Sequence, residues 1–109
     1  MTNLLHQKCQ VENTHALTDT EVRNHLAQVS GWHLASGAIE KTFSFKNYYE
    51  TIAFVNALAW IANTEDHHPE LAVSYDRCAV RFNTHSANGI SINDFICAAK
   101  ADALVAFVG

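Results

Sequence analysis

Apolar and polar positions alternate along several short segments of the chain, which predicts β-strands. Ile39, Phe43 and Phe45 are apolar, whereas the even positions between them are polar. This period of two gives a strand one covered and one wetter face, because successive side chains point to opposite sides. Residues 36–37 and 76–77 have the composition of turns, so two β-hairpins are predicted. Three further segments are predicted as strands: 32–35, 71–75 and 80–82.

Three helices are predicted from capping signals at their first residues. Thr18 and Glu21 form a capping box, in which a hydroxyl and a carboxylate satisfy backbone N–H groups left free at a helix start. Two further pairs have the same spacing: Asn47 with Glu50, and Ser91 with Asp94. The predicted helices run over residues 18–30, 47–63 and 91–108.

The predicted element order is α-β-β-α-β-β-α, and no repeat or low-complexity segment interrupts it. A chain of 109 residues is long enough for one core and fits a single domain. We therefore predict an α+β fold, in which helices cover one face of a four-stranded antiparallel sheet. Residues 17–109 would form this domain. Residues 1–16 lack sustained periodicity and would form an extended or mobile lead-in.

Composition and charge narrow the functional classes. The net charge is −4 with histidine neutral, and the 7 Lys and Arg residues are scattered, so there is no basic stripe for a phosphate backbone. Direct nucleic-acid binding is therefore disfavoured. Charged residues make up only 17% of the chain, and the second and third predicted helices are apolar on more than one side. Both features favour a subunit interface.

The sequence also indicates a reducing, aqueous compartment. Cys9, Cys78 and Cys97 have no CxxC spacing and are predicted to be ordinary thiols. Residues 1–14 lack the apolar core of a signal peptide, and the longest apolar run, 52–62, is too short to span a bilayer. We therefore expect a soluble cytoplasmic protein without membrane contact.

Proton-transfer chemistry is concentrated in one part of the chain, at predicted ends of elements rather than their middles. The residues are Asp66, His67, His68, Pro69, Tyr75, Thr84, His85 and Asp94. Histidine can give or take a proton near neutral pH, so three imidazoles offer both roles. Pro69 restricts His68 to extended backbone angles, and the adjacent rings should therefore project differently. His85 would point away from the core face if the preceding strand reached it.

These residues also have simpler interpretations. His67 and His68 could be a solvated loop pair, and Asp94 has the spacing of a helix cap, which spacing alone favours. A zinc site is the main chemical alternative, but catalytic zinc motifs place two histidines at i and i+4, whereas adjacent histidines before a proline would struggle to reach one ion. No metal is therefore predicted. Four histidines without a partner pattern are assigned to the surface: His6, His15, His25 and His33.

The chain resembles the pterin-4a-carbinolamine dehydratases, a family that includes the dimerisation cofactor of a homeodomain transcription factor. The likeness covers roughly residues 17–104. Its most specific part is His67-His68-Pro69, Tyr75, His85 and Asp94, separated by five, nine and eight residues. Further positions look like family positions: Trp32, Phe43, Phe45, Phe54, Thr84, Gly89, Ile90 and Ser91.

The resemblance implies a hydro-lyase that removes water from 4a-hydroxytetrahydrobiopterin to give quinonoid dihydropterin, without metal or redox cofactor. An acid must protonate the leaving 4a-hydroxyl, and a base must take the N5 proton. On this hypothesis His67 and His85 are the acid and base, in either order, and His68 is a third catalytic residue that binds the pterin and assists the proton transfers. Asp94 would orient His85 or the pterin ring. The expected substrate-binding residues are Asn63, Pro69, Val73, Ser74, Tyr75, Thr84 and Asp94.

One position departs from the family pattern. Four residues before His67 the family usually carries an ionisable residue, whereas this chain has Asn63, which cannot exchange a proton. The departure leaves open a non-enzymatic binding or dimerisation cofactor on the same fold, or a related protein of molybdopterin metabolism. As partners, the resemblance implies a homodimer with sheets joined edge to edge, or a homotetramer joined through helices. It also implies a metabolic link, through tetrahydrobiopterin recycling, to an aromatic amino acid hydroxylase.

Overall fold

The computed structural model describes residues 4–10 and 14–106 of the chain. Its helices are α1 (Asp19–Leu26), α2 (Tyr48–Glu65) and α3 (Ile92–Val105), and its strands are β1 (His33–Ala35), β2 (Ala38–Ser44), β3 (Glu70–Val73) and β4 (Arg77–Phe82). The strands form one antiparallel sheet in the order β1-β2-β4-β3. The predicted α+β architecture, with its two hairpins, is therefore confirmed. Within the described ranges, no helix is long and apolar enough to cross a membrane.

Side-chain caps begin the helices at the predicted residues, but the helix ends differ from prediction. Thr18 and Glu21 form the capping box of α1. This helix ends at Leu26, before the predicted end at Gly31, because the chain continues in tighter turns such as the Val29 N–H to Leu26 carbonyl bond of 3.2 Å. The second helix extends to Glu65, two residues beyond its predicted end.

One face of the sheet forms the core with α2 and α3. The register pairs Phe43 with Cys78 and Ile39 with Phe82, so these four buried side chains share a face. The helices contribute Phe54 and Leu58 from α2, and Phe95, Ile96, Ala98 and Ala101 from α3. Burying a large apolar side chain stabilises the fold by about 1.5–3 kcal/mol, so this layer holds α3 firmly against the sheet.

Part of the lead-in, which was predicted to be extended or mobile over residues 1–16, is helical and attached to the domain, whereas residues 1–3 and 11–13 lie outside the described residues. Leu4–His6 forms a 3-10 helix, and the Leu4 side chain is buried in the core. The Lys100 amine of α3 donates to the Leu5 carbonyl at 2.8 Å, and the Gln10 N–H donates to Asn93 Oδ1 at 2.7 Å. The Leu4 side chain, and two hydrogen bonds between backbone groups of residues 4–10 and side chains of α3, thus attach this segment to the domain.

The three cysteines are free thiols, but two of them are neighbours. The Cys9 and Cys97 sulfurs lie 3.5 Å apart, and the hydrogen bond between them, together with burial, raises the pKa of the Cys97 thiol. Burial also raises the pKa of the Cys78 thiol. Both thiols therefore remain protonated near neutral pH, the state in which a cysteine is a poor nucleophile.

Strand β3 forms one edge of the sheet and exposes apolar side chains. Leu71 pairs with Val80 and Val73 with Cys78, so both lie on the helix-covered side of the sheet. Their partners on β4 are buried, yet Leu71 is 37% and Val73 41% exposed. Leu71 and Val73 share a face as predicted, but the strand ends at Val73 and so does not include Tyr75, and the described helices leave both apolar side chains exposed.

A polar contact joins the C-terminal half of α3 to the sheet. The buried Trp32 donates its indole N–H to the Asp102 carboxylate at 3.1–3.2 Å, and the Lys41 amine approaches the same carboxylate at 2.8 Å. We expect Asp102→Ala to lower the free energy of unfolding by about 1–3 kcal/mol, because the buried indole N–H loses its acceptor. Urea denaturation followed by tryptophan fluorescence measures this loss. Asp102→Asn keeps an acceptor oxygen and should lose less stability than Asp102→Ala. Equal stability of Asp102→Ala and wild type would contradict the role of Asp102 as acceptor for Trp32.

Candidate active site

A left-handed residue at the end of α2 directs His67 towards the core. Asp66 has φ 52° and ψ 44°, and its N–H donates to the Asn63 carbonyl at 3.3 Å. The next N–H, that of His67, donates to the Ala62 carbonyl at 3.0 Å. This pair of bonds satisfies carbonyls at the helix end and turns the chain sharply. The His67 ring then stacks on Phe82, with ring centroids 5.9 Å apart and planes 9° from parallel.

The His67 imidazole is hydrogen-bonded to a buried carboxylate. Its Nε2 lies 2.5 Å from Asp94 Oδ1, and the side chains of His67 and Asp94 are 11% and 0% exposed. The second oxygen, Oδ2, accepts the Ser91 N–H and the Thr84 hydroxyl, each at 2.9 Å. Both carboxylate oxygens are therefore satisfied by the protein, as a buried charged group requires.

Two buried hydroxyl groups complete this network. Thr84 Oγ1 and Ser91 Oγ lie 2.7 Å apart, and Ser91 Oγ also accepts the Asn93 N–H at 3.2 Å. The Thr84 N–H donates to the Gly89 carbonyl at 2.9 Å, which closes the loop between β4 and α3. That closure brings Thr84 to the first turn of α3, where Asp94 lies.

The structure brings some predicted site residues together and separates others. Asp94 was predicted to orient His85 or the ligand; among the described residues its carboxylate is bonded to His67 instead. Thr84 was predicted to bind substrate, but its buried hydroxyl is engaged by Asp94. Ser91 was predicted as a cap and as a family position, but not as part of a network with Thr84 and Asp94. Phe82, on which the His67 ring stacks, was predicted only as part of the strand over residues 80–82.

His85 and His68 directly follow two residues of this network in the chain, Thr84 and His67. Strand β4 ends at Phe82, so it does not reach His85, which starts a 3-10 helix (His85–Ala87) and is exposed. His68 is exposed, and Pro69 after it is half-buried. Because Thr84 precedes His85 in the chain, the anchored Thr84 holds the backbone at the start of His85.

The predicted binding residues of β3 and its turn have other contacts. Val73 and Ser74 line a separate cavity of about 270 Å³, together with Thr42, Ala72, Arg77 and Ala79. The Ser74 N–H donates to the Arg77 carbonyl at 2.9 Å, so this amide already has a partner. The Tyr75 side chain is exposed, and Asn63 is exposed on the last turn of α2.

Of the four histidines assigned to the surface, His6, His15 and His33 are exposed. His25 is half-buried on α1, with its ring centroid 5.2 Å from that of Phe95, and its Nδ1 is buried without a hydrogen-bond partner among the described residues. The surface assignment was therefore wrong for His25, because this side of α1 faces α3. Within residues 4–10 and 14–106, no three His, Cys, Asp or Glu side chains are grouped as metal ligands.

Comparison with known sequences identifies the family. The sequence pattern described as pterin 4 alpha carbinolamine dehydratase matches residues 15–104. The chain belongs to the pterin-4-alpha-carbinolamine dehydratase family. This membership confirms the resemblance seen in the histidine and aspartate spacing, and it confirms the predicted enzyme class, a hydro-lyase.

Relatives of this dehydratase family match most of the chain. A protein of Bdellovibrio bacteriovorus is 61% identical over 93 residues, which are 82% of this chain and 78% of the relative. One of Paracidovorax citrulli is 59% identical over 95 residues, 84% of this chain and 82% of the relative. Both carry the name "Putative pterin-4-alpha-carbinolamine dehydratase". The crystal structure of a transcriptional coactivator/pterin dehydratase from Brucella melitensis superposes with a TM-score of 0.80 at 34% identity, covering 83% of this chain and 98% of that one.

Proposed function

We propose that this protein dehydrates 4a-hydroxytetrahydropterins to quinonoid dihydropterins by histidine general acid–base catalysis. The observation that supports this best is the hydrogen bond between His67 and the buried Asp94, two of the residues on whose spacing the family resemblance rests. A carboxylate bonded to one imidazole nitrogen holds the ring in one orientation and determines which nitrogen carries the proton. Such an oriented imidazole is suited to proton transfer.

The reaction divides into two proton transfers. The 4a-hydroxyl leaves as water when an acid protonates its oxygen, and the C4a–N5 double bond forms as a base removes the N5 proton. With Asp94 ionised, Nε2–H of His67 donates to the carboxylate, so Nδ1 is the nitrogen with a free lone pair. His67 and His85 supply the acid and base in this proposal, and His68 contacts the pterin ring.

The direct test is dehydration of chemically generated 4a-hydroxytetrahydropterin, followed by stopped-flow absorbance with and without purified protein. The uncatalysed reaction is measured in the same buffer, because buffer acids and bases also accelerate it. An accelerated rate proportional to protein concentration supports the proposal. A rate equal to that of the uncatalysed reaction at every protein concentration would contradict it.

A second candidate function is a non-enzymatic binding or coactivator role. The observation in its favour is the name of the Brucella melitensis relative, a transcriptional coactivator/pterin dehydratase. Asn63, in place of an ionisable residue, also fits a protein with little activity. Pterin binding without turnover in the stopped-flow assay would favour this role. Turnover would instead favour an enzyme of tetrahydrobiopterin recycling, linked metabolically to an aromatic amino acid hydroxylase.

We further propose that the protein is an oligomer joined through strand β3. The apolar Leu71 and Val73 lie on the core side of an edge strand that the helices leave exposed, and an unpaired strand edge is a template for pairing with another chain. Pairing of two β3 edges would continue the sheet and bring helices of a second copy over these residues. Exposed apolar residues of α2, such as Trp60 at 72%, offer a second contact for a tetramer.

We expect Leu71→Lys to shift the protein towards monomer, because a charge on the covered side of the joined edge would be desolvated without a partner. Size-exclusion chromatography with light scattering at micromolar concentration measures the mass. Leu34→Lys is the matched control, since Leu34 is exposed on the opposite edge strand, β1. A monomeric wild type, or dissociation by Leu34→Lys alone, would contradict joining through β3.

A further inference from the structure

The buried hydroxyl groups beside Asp94 form a hydrogen-bond chain with one direction. A carboxylate oxygen only accepts, so Thr84 must give its single hydroxyl hydrogen to Asp94 Oδ2. In the 2.7 Å contact with Ser91, Thr84 is therefore the acceptor and Ser91 is the donor. The Ser91 oxygen accepts the Asn93 N–H. The series of hydrogen bonds thus runs from the Asn93 N–H in the first turn of α3, through the Ser91 and Thr84 hydroxyl groups, to the Asp94 carboxylate.

This hydrogen-bond chain determines the orientation of the Asp94 carboxylate, and therefore the direction of Oδ1. Oδ2 receives two hydrogen bonds of 2.9 Å from different directions, one from the Ser91 N–H and one from the Thr84 hydroxyl. Rotation of the carboxylate would break both bonds in a site where water cannot replace them, since Asp94, Thr84 and Ser91 are all buried. Oδ1 is consequently held towards His67 Nε2.

We infer that Thr84 and Ser91 are positioning residues that act on His67 through Asp94, rather than residues that bind the pterin. This inference rests on the proposed function, in which His67 transfers a proton. Thr84 links the two histidines proposed as acid and base, because its side chain supports Asp94 while its backbone precedes His85. In metal sites, removal of a group that orients a ligating histidine commonly lowers activity about 10- to 100-fold, and we expect an effect of that size here.

Thr84→Val tests the inference, because valine keeps the volume of threonine and removes the hydroxyl. We expect kcat for dehydration to fall about 10- to 100-fold with a KM changed less than about threefold, since the ring is mispositioned but no substrate contact is lost. Thr84→Ser retains the hydroxyl and should restore kcat to within about threefold of wild type. A Thr84→Val variant with wild-type kcat, or one whose loss lies entirely in KM, would overturn the inference.

A second measurement is independent of turnover. Long-range ¹H–¹⁵N NMR of the imidazole nitrogens reports which ring nitrogen carries the proton, and wild-type His67 should be a single Nε2–H tautomer. In Thr84→Val we expect a mixture of the two His67 tautomers. Thr51→Val is the control, because it removes a buried hydroxyl near the start of α2, at the end opposite His67, and should leave the His67 tautomer unchanged. If wild type is inactive but Thr84→Val mixes the tautomers, the proposed function fails and the positioning role stands. If the tautomer is unchanged in Thr84→Val, the positioning role fails whether or not the protein is active.

Discussion

His67→Ala is expected to lower the rate constant for dehydration of 4a-hydroxytetrahydropterin by about 100-fold or more, the usual contribution of a positioned acid or base. His67 is the histidine that the structure holds most firmly, between the Phe82 ring and the Asp94 carboxylate. Alanine removes the imidazole proposed to transfer the proton. Stopped-flow absorbance under single-turnover conditions measures this step apart from product release.

The matched control for this variant is His33→Ala, which removes an imidazole exposed on β1 and should retain the wild-type rate. His85→Ala should also be slow if His85 supplies the second proton transfer. Near-wild-type rates in both His67→Ala and His85→Ala would end the acid–base proposal. A lower dehydration rate in His67→Ala but not in His85→Ala would restrict the proposed acid–base role to His67.

Asp94→Ala is expected to lower the free energy of unfolding by about 3–5 kcal/mol, the usual effect of removing one partner of a buried charged pair. The substitution leaves the Thr84 hydroxyl, the Ser91 N–H and His67 Nε2 without their acceptor. It also removes half of the capping box of α3. Urea denaturation monitored by circular dichroism measures the change in stability.

Asp94→Asn separates stability from activity, because it keeps the size of the side chain and should lose only about 1–3 kcal/mol. An amide has one acceptor oxygen, so it cannot accept at both His67 and Thr84. We therefore expect its dehydration rate to fall about 100-fold while the protein remains folded. Asp76→Ala is the control, since this exposed residue of a surface ion pair should change stability by less than about 0.5 kcal/mol. Wild-type stability and rate in Asp94→Asn would contradict both roles.

Most of the fold could be predicted because its signals are local. Thr18 caps α1 and Ser91 caps α3 as predicted, since a capping box depends on residues three positions apart. The exception is the N-terminal segment, where Leu4 packs into the core. A single apolar residue without periodicity gives no local signal of the surface against which it will pack.

The sequence suggested residues for the candidate site but did not indicate which of them are in contact. The sequence interpretation of Asp94 as a cap and its interpretation as a site residue are both supported by the geometry, because one carboxylate oxygen caps α3 and the other meets His67. Asp94 was predicted to orient His85, nine residues away, or the pterin ring, whereas the hydrogen bond seen is to His67, 27 residues away. Separation along the sequence does not indicate which side chains will be in contact, because loops bring distant residues together in the fold.

The sequence by itself determined the order of elements and the family, and it suggested the proposed proton-transfer residues, since periodicity, caps and motif spacing are properties of the chain alone. Only the tertiary structure decided which side chains meet. It paired His67 with Asp94, engaged the Thr84 hydroxyl inside the protein, and left Leu71 and Val73 exposed on the edge strand. The physical reason is that burial and hydrogen-bond partners depend on how α3 packs on the sheet. That packing is determined jointly by residues that are distant in sequence.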